Sequence, residues 1–357
     1  AQRLRWRAVV PTAVAGAVAA SPDGSVLYVA TEGGTVHALA ASDGHEVCRS
    51  SAGSEGFRGP AVAHDGSAVY VGTGSGLRAI SAAPSCADLW TVQGGEVAQG
   101  APAVDPDTGT IFFTTREGGL HSVSADGRVW WSRNDLGLLR SGPTLVHAGR
   151  LVVVSSDDHN LHAVRLDDAG MPQPDLAWSA LTGGELEAPS TLFEERLYVG
   201  AAGPTDFGIY AFSVSDGSRI WETPFPTDRR ITSRPWVDAA GFVYVTSRDG
   251  SCYRLSEDRV LSWSYSVDSG ISYSSPVVHE GAGVVLFGES GATGPDGLMH
   301  GLLHGVDRDS GEAAWTASLD GSVAATPLVL EGTVVVGADS GLVCAYFVDG
   351  AAAREAL

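Results

Sequence analysis

The chain has 357 residues, with 22 basic side chains, all of them arginine, against 42 acidic ones, giving a formal net charge of −20. That balance argues against nucleic acid or an anionic membrane as a partner, and the lack of lysine excludes Schiff-base chemistry and lysine general bases. Apolar residues make up 44% and charged residues 18%, which suits sheets buried on both faces, and no run approaches the ~18 apolar residues of a membrane helix, so no direct membrane insertion is expected.

In chain order, residues 3–10 come first, carrying Trp6 in a short apolar-polar strand that stands alone. The stretch AVAASPDGSVLYVATEGGTVHALAASDGHEVC then reads as several strands separated by turn residues, ending on Cys48. Similar units follow. They open on Pro60, Pro102, Pro143, Pro189, Pro235, Pro276 and Pro327, and a tryptophan recurs late in them as Trp90, Trp131, Trp178, Trp221, Trp263 and Trp315. Residues 189–221 show the plan most clearly: a strand opening on Pro189, a second ending in a glycine-rich turn, a third ending at Ser215-Asp216-Gly217, and a fourth carrying Trp221. Strand-length runs bounded by turn chemistry predict a four-stranded antiparallel meander. The turn before the fourth strand recurs as Asp43-Gly44, Asp126-Gly127, Asp216-Gly217, Ser310-Gly311 and Asp349-Gly350, each suited to a tight reversal. A period of roughly forty to fifty residues suits one propeller blade per repeat, and the copies number eight.

The eighth copy lacks its tryptophan-bearing strand, and residues 3–10 have that character. Pairing them with residues 327–347 closes a ring and removes open sheet edges. The expected fold is therefore all-β, an eight-bladed propeller of four-stranded antiparallel blades, forming a single domain over residues 1–357 with residues 351–357 as a tail. Trp6, Trp90, Trp131, Trp178, Trp221, Trp263 and Trp315 are expected to be structural, as large apolar plugs between blades. Trp130 and Trp236 fall outside that register.

The proline-opened strand, the G-x-[LV]-[HY]-A third strand, the Asp-Gly turn and the fourth-strand tryptophan together resemble the PQQ-like propeller repeat family across essentially the whole chain. Two groups share that repeat: quinoprotein dehydrogenases, which hold pyrroloquinoline quinone and calcium, and smaller non-enzymatic propellers such as the lipoprotein scaffold of the outer-membrane β-barrel assembly machinery. The resemblance implies the small kind. No two cysteines are adjacent, where quinoproteins have a cysteine pair against the cofactor, and the copies are trim. No cofactor is expected. Position 1 is alanine, so the lipid-anchoring cysteine of the scaffold comparison has no counterpart there.

Other constellations have ordinary explanations. His37, His121, His162 and His304 occupy one repeat position on different blades, too far apart for ~2 Å metal bonds, and no metal is expected. Asp105-Pro106-Asp107-Thr108-Gly109 and Asp307 to Glu312 lack the full calcium-loop pattern, and Gly72-Thr73-Gly74-Ser75-Gly76 has no helix behind it and reads as a turn. Cys48 and Cys86 fall in neighbouring copies, leaving either a disulfide or buried thiols open. The start at Ala1-Gln2 reads as a mature end after signal cleavage, so a secreted or periplasmic location is expected, and with it a monomer.

No residue is assigned a catalytic role. The leading expectation is an exported, non-enzymatic scaffold that binds a protein or small ligand through loops at the channel mouth. The alternative is a propeller enzyme, a lyase, hydrolase or cyclase, using Asp157-Asp158-His159, Glu187 and Tyr273 in those loops. Residues 225–235 place Arg229, Arg230 and Arg234 close together before Trp236, and residues 288–301 insert a long turn into the seventh copy. An arginine fork suits carboxylate or phosphate. The expected binding residues are thus Arg229, Arg230, Arg234, Trp236, Tyr273, Glu187 and His159.

Overall fold

The computed structural model describes residues 3–51, 59–97, 100–146, 150–166, 172–203, 206–271, 273–293, 297 and 299–348. Eight four-stranded antiparallel sheets follow one another in the sequence. Blade one consists of Ala19–Ala20, Val26–Ala30, Thr35–Ala40 and Glu46–Ser51, and blades two to seven repeat that plan from Ala61–Val62 to Ala313–Asp320. Blade eight takes Leu328–Leu330, Thr333–Gly337 and Leu342–Phe347 from the C-terminal part and Leu4–Val9 from the N-terminal part as its outer strand. Trp6 pairs with Ala345 and Val9 with Leu342. This is an eight-bladed β-propeller whose ring is closed by the N-terminal strand.

The second and third strands of each blade are buried on both faces, as in AVYVG of blade two, and so read as continuous apolar runs rather than alternating ones. Their side chains meet those of the neighbouring blades. Among the described residues the buried apolar side chains form eight clusters, one in each gap between blades. The core is therefore a ring of eight interfaces, and each blade depends on both neighbours.

The repeated tryptophan and the repeated Asp-Gly turn are two halves of one joint. The indole Nε1 of Trp90 donates to Ala125 O of the next blade at 2.8 Å, Trp178 to Val214 O at 2.9 Å, and Trp263 to Arg308 O at 2.9 Å. Trp6 closes the ring by donating to Ala41 O of blade one at 2.9 Å. Each ring lies against the glycine of the turn it caps. A Cβ on Gly44, Gly127, Gly217 or Gly311 would stand 2.5 to 2.8 Å from the indole of Trp6, Trp90, Trp178 or Trp263. These glycines are needed twice over, since each also has φ between +70° and +86°. Gly24 offers a control, with the same φ of +70° as Gly217 but nothing within 4 Å of its Cβ position. Gly24→Ala is expected to cost about 1 to 2 kcal/mol from the left-handed backbone alone. Gly217→Ala is expected to cost about 2 to 4 kcal/mol, because overpacking against Trp178 adds to it. Urea denaturation of both variants checks this, and equal losses would remove the joint from the account.

Three features differ from the sequence reading. Trp221 lies outside the fourth strand of blade five, which is reduced to Phe225–Pro226. Pro224, just before that strand, has no N–H to donate to the sheet. The indole still docks, donating to Glu257 O of blade six at 2.8 Å. Pro189 is also out of step: the equivalent inner-strand pairs are Thr191 with Tyr198 and Trp236 with Tyr244, which aligns Pro189 with Arg234 rather than Pro235. The seventh-copy insertion is a continuation of the blade itself, with Val284–Thr293 and Met299–Asp307 forming a long hairpin. The Asp349-Gly350 turn lies outside the described residues.

Cys48 and Cys86 are joined by a disulfide. Cys48 occupies the tryptophan position of blade one, and Cys86 sits in the turn before the fourth strand of blade two with φ of 49°, where other turns have glycine. A covalent bond thus replaces the indole joint in this gap.

Candidate functional site

Connections between blades and the turns between second and third strands share one face of the ring, around the mouth of the channel. Apolar residues of several connections are driven under the loops, among them Val97, Leu139, Leu186, Ile231 and Val323, all buried. These plugs fix the connections, so polar side chains beside them are held in place rather than left to sweep solvent.

The repeat-position histidines are tied within their own blades. His37 Nδ1 lies 2.6 Å from Glu46, His162 Nε2 2.8 Å from Asp158, His121 Nδ1 2.8 Å from Ser132, and His304 Nε2 2.7 Å from Glu289. Among the described residues no group of three or more histidine, cysteine or acidic side chains could hold a metal ion. The last pair is the most enclosed, with both side chains about 5% exposed. Burial pushes the Glu289 carboxyl up, but hydrogen bonds from the Ser269 hydroxyl and amide and the His304 contact outweigh it, and its pKa lies below the ordinary 4.5. A carboxylate with a depressed folded-state pKa contributes stability above its unfolded value, and that contribution is lost as pH falls through the folded value. Glu289→Gln is therefore expected to be less stable at neutral pH and to lose less than the parent below about pH 4.5. Urea denaturation across that range would show equal acid slopes if Glu289 were unimportant.

The acids, imidazole and phenol predicted for this face differ in their direct partners, although Asp157 and Glu187 both act on the Arg140 guanidinium. Asp157 accepts from Arg140 Nε at 2.7 Å, and burial raises its pKa against that contact. Asp158 belongs to His162. His159 is a left-handed turn residue with φ of 73°, whose carbonyl accepts from Thr182 N and Oγ1, both at 2.8 Å. Glu187 lies 3.0 Å from Arg230 Nη1. Tyr273 is exposed, with the Arg248 guanidinium 5.1 Å from its ring centre. Trp236 is half-buried and packs into the cluster between blades six and seven with Trp263 and Tyr244.

The three neighbouring arginines take three different surroundings. Arg230 is paired with Glu187. Arg229 is exposed, and only its carbonyl is engaged, accepting from Thr227 Oγ1 at 2.8 Å and Ser247 Oγ at 3.1 Å. Arg234 precedes the inner strand of blade six, with its backbone N–H donating to Ser275 Oγ of blade seven at 2.9 Å and its Nε to Thr191 Oγ1 of blade five at 3.1 Å. The residue is exposed just before this inner strand. Desolvation lowers its pKa, but an arginine starts so high that it stays charged at neutral pH.

Thr191 and Ser275 did not emerge from the sequence reading. Their roles depend on blade adjacency, and the displaced Pro189 hides the register that aligns Arg234 with small residues on other blades. A partly open hollow lies elsewhere, at the turns between the first and second strands of blades three and four, lined by Asp105, Asp107, Arg150 and Leu151 among others. It holds none of the predicted site residues.

A family profile described as outer membrane protein assembly factor BamB matches residues 2–96, 74–293 and 275–353. No curated protein matches the chain. Among solved structures the fold is similar to BamB from Moraxella catarrhalis, at 17% identity and a TM-score of 0.72 over 96% of each chain. It is also similar to Saccharomyces cerevisiae Sqt1, at 10% identity and a TM-score of 0.81 over 98% of this chain and 100% of that one. The computationally designed Ika8 protein is a third likeness, at 12% identity and a TM-score of 0.78 over 97% of this chain and 100% of that one. At such identities the structural likenesses speak for the fold, whereas the profile match runs through nearly the whole sequence, and on it the chain belongs to the BamB family of PQQ-like repeat propellers.

Proposed function

We propose that this protein is a non-enzymatic, exported propeller scaffold that binds a protein partner through the channel-mouth face, centred on blades five to seven. The observation that carries the reading is the separate partnering of the polar groups there. Asp157, Asp158 and Glu187 each contact a different cation or imidazole, and Tyr273 stands apart beside Arg248. An acid-base site needs such groups within reach of one reacting atom, whereas a binding rim needs them spread and rigid. Family membership supports the same reading, since the profile is described by an assembly factor.

Export is supported by the disulfide between Cys48 and Cys86, a bond that persists in oxidising compartments. Among the described residues no helix is long and apolar enough to cross a membrane. Photo-reactive residues placed at Arg229 and, on the opposite face, at Asp107 test the reading in the native source. Partner cross-links from position 229 and none from 107 are expected. Cross-links confined to position 107 would move the binding surface to the other face.

A further inference from the structure

Arg234 stands at a point in the ring where the other blades carry no charge. The register of the inner strands aligns it with Gly59, Ala101 and Gly142 on blades two to four and with Ser275 and Thr326 on blades seven and eight. Backbone packs on backbone at this level, where a Cβ on Gly142 would lie 2.2 Å from Ala101 O and one on Gly59 3.4 Å from Ala101 N. One long cationic side chain therefore enters a channel mouth otherwise built from small neutral ones.

Its pairing also sets the guanidinium apart from those of the arginines that neighbouring acids neutralise. Arg78, Arg116, Arg140, Arg196, Arg230 and Arg308 each lie against a carboxylate of this acidic chain. Among the described residues Arg234 has no carboxylate within 4.0 Å, and its side chain donates only through Nε, to Thr191 Oγ1. That bond fixes the plane of the fork and leaves the Nη1–Nη2 edge open. Such an edge matches a carboxylate through two parallel N–H···O bonds.

On these grounds, and resting on the scaffold reading above, we infer that Arg234 is the anchor for a carboxylate of a partner polypeptide inserted into the channel mouth, either an acidic side chain or a free C-terminus. A monoanion fits better than a phosphate dianion, because a single guanidinium offsets a single charge in a molecule whose net charge is −20. Ser275 and Thr191, which hold Arg234 from blades seven and five, set its position in the ring.

The test uses the whole chain and an array of synthetic hexapeptides in four versions: glutamate-containing or glutamine-containing, each with a free or an amidated C-terminus. Binders are then measured by calorimetry. Removing the responsible carboxylate is expected to weaken binding by about tenfold or more, and comparison of the four versions shows whether side chain or terminus supplies it. Arg234→Gln is expected to cause a loss of the same size with the acidic peptide and none with its neutral counterpart, while Arg128→Ala, in an exposed turn on the opposite face, leaves that difference unchanged. Inorganic phosphate at equal concentration is expected to compete poorly. Peptides that bind equally well with and without a carboxylate would overturn the inference while leaving the binding face standing, and this comparison needs no variant. Acidic peptides displaced by phosphate at equal concentration would overturn the choice of a carboxylate. No peptide binding together with cross-links confined to the opposite face would overturn both readings.

Discussion

Deletion of residues 1–10 is expected to lower stability by more than about 5 kcal/mol and to turn the protein toward aggregation. Burial of Trp6 alone accounts for about 3 to 5 kcal/mol, the usual loss on removing a core tryptophan; its side chain is only 7% exposed and plugs the gap between blades eight and one. The ladder from Leu4 to Val9 and the Val10 N–H bond to Gly341 O, at 2.8 Å, disappear with it. Two consequences follow from the topology. The third strand of blade eight, Leu342–Phe347, becomes a bare edge able to pair with another chain, and the turn around Gly44 loses the indole that covers it. Trp6→Ala separates the effects, since it removes the plug but keeps the ladder. Thermal unfolding with size-exclusion chromatography is the measurement. An unchanged melting temperature in the deletion variant would show that the ring does not need this strand.

The closure was legible in the sequence because the repeat has two independent markers. A proline and a tryptophan that keep step leave one strand missing at the C-terminal end and one spare at the other. What the sequence does not display is the joint itself, in which Trp178 of blade four meets Gly217 of blade five, because the partners are 39 positions apart and the contact crosses a blade boundary. The site was harder for a related reason. Arg229, Arg230 and Arg234 lie close in sequence, which suggests one fork, yet a loop can turn neighbours toward different surroundings. Arg230 is drawn to Glu187 and Arg234 reaches Thr191. The signal for Arg234 was present as one arginine among small residues in an aligned column, but Pro189, one place early in blade five, masked that column.

The largest chemical exception in the ring supplies the second strong expectation. Seven gaps are plugged by tryptophan and one is closed by Cys48–Cys86, so the double variant Cys48→Ser, Cys86→Ser is expected to lose about 4 kcal/mol. That figure is the loop-closure entropy for the sequence separation of 38. Polar contacts already span this gap, including Ser50 Oγ to Asp88 at 3.0 Å and Ala83 N to Tyr28 OH at 3.1 Å. They do not replace a plug, because the apolar cluster here is built largely from small side chains such as Ala30, Ala38, Val69 and Val71. A reducing agent is expected to lower the stability of the parent and leave the double-serine variant unchanged. Cys252 and Cys344 do not confuse that comparison, since both are buried thiols whose pKa values burial raises. The decisive variant is Cys48→Trp with Cys86→Gly, which rebuilds the joint used elsewhere: an indole against a turn glycine at positive φ. It is expected to recover at least half of the loss without any covalent bond, in urea denaturation under reducing conditions. If it is no more stable than the double-serine protein, the disulfide is not standing in for a tryptophan joint.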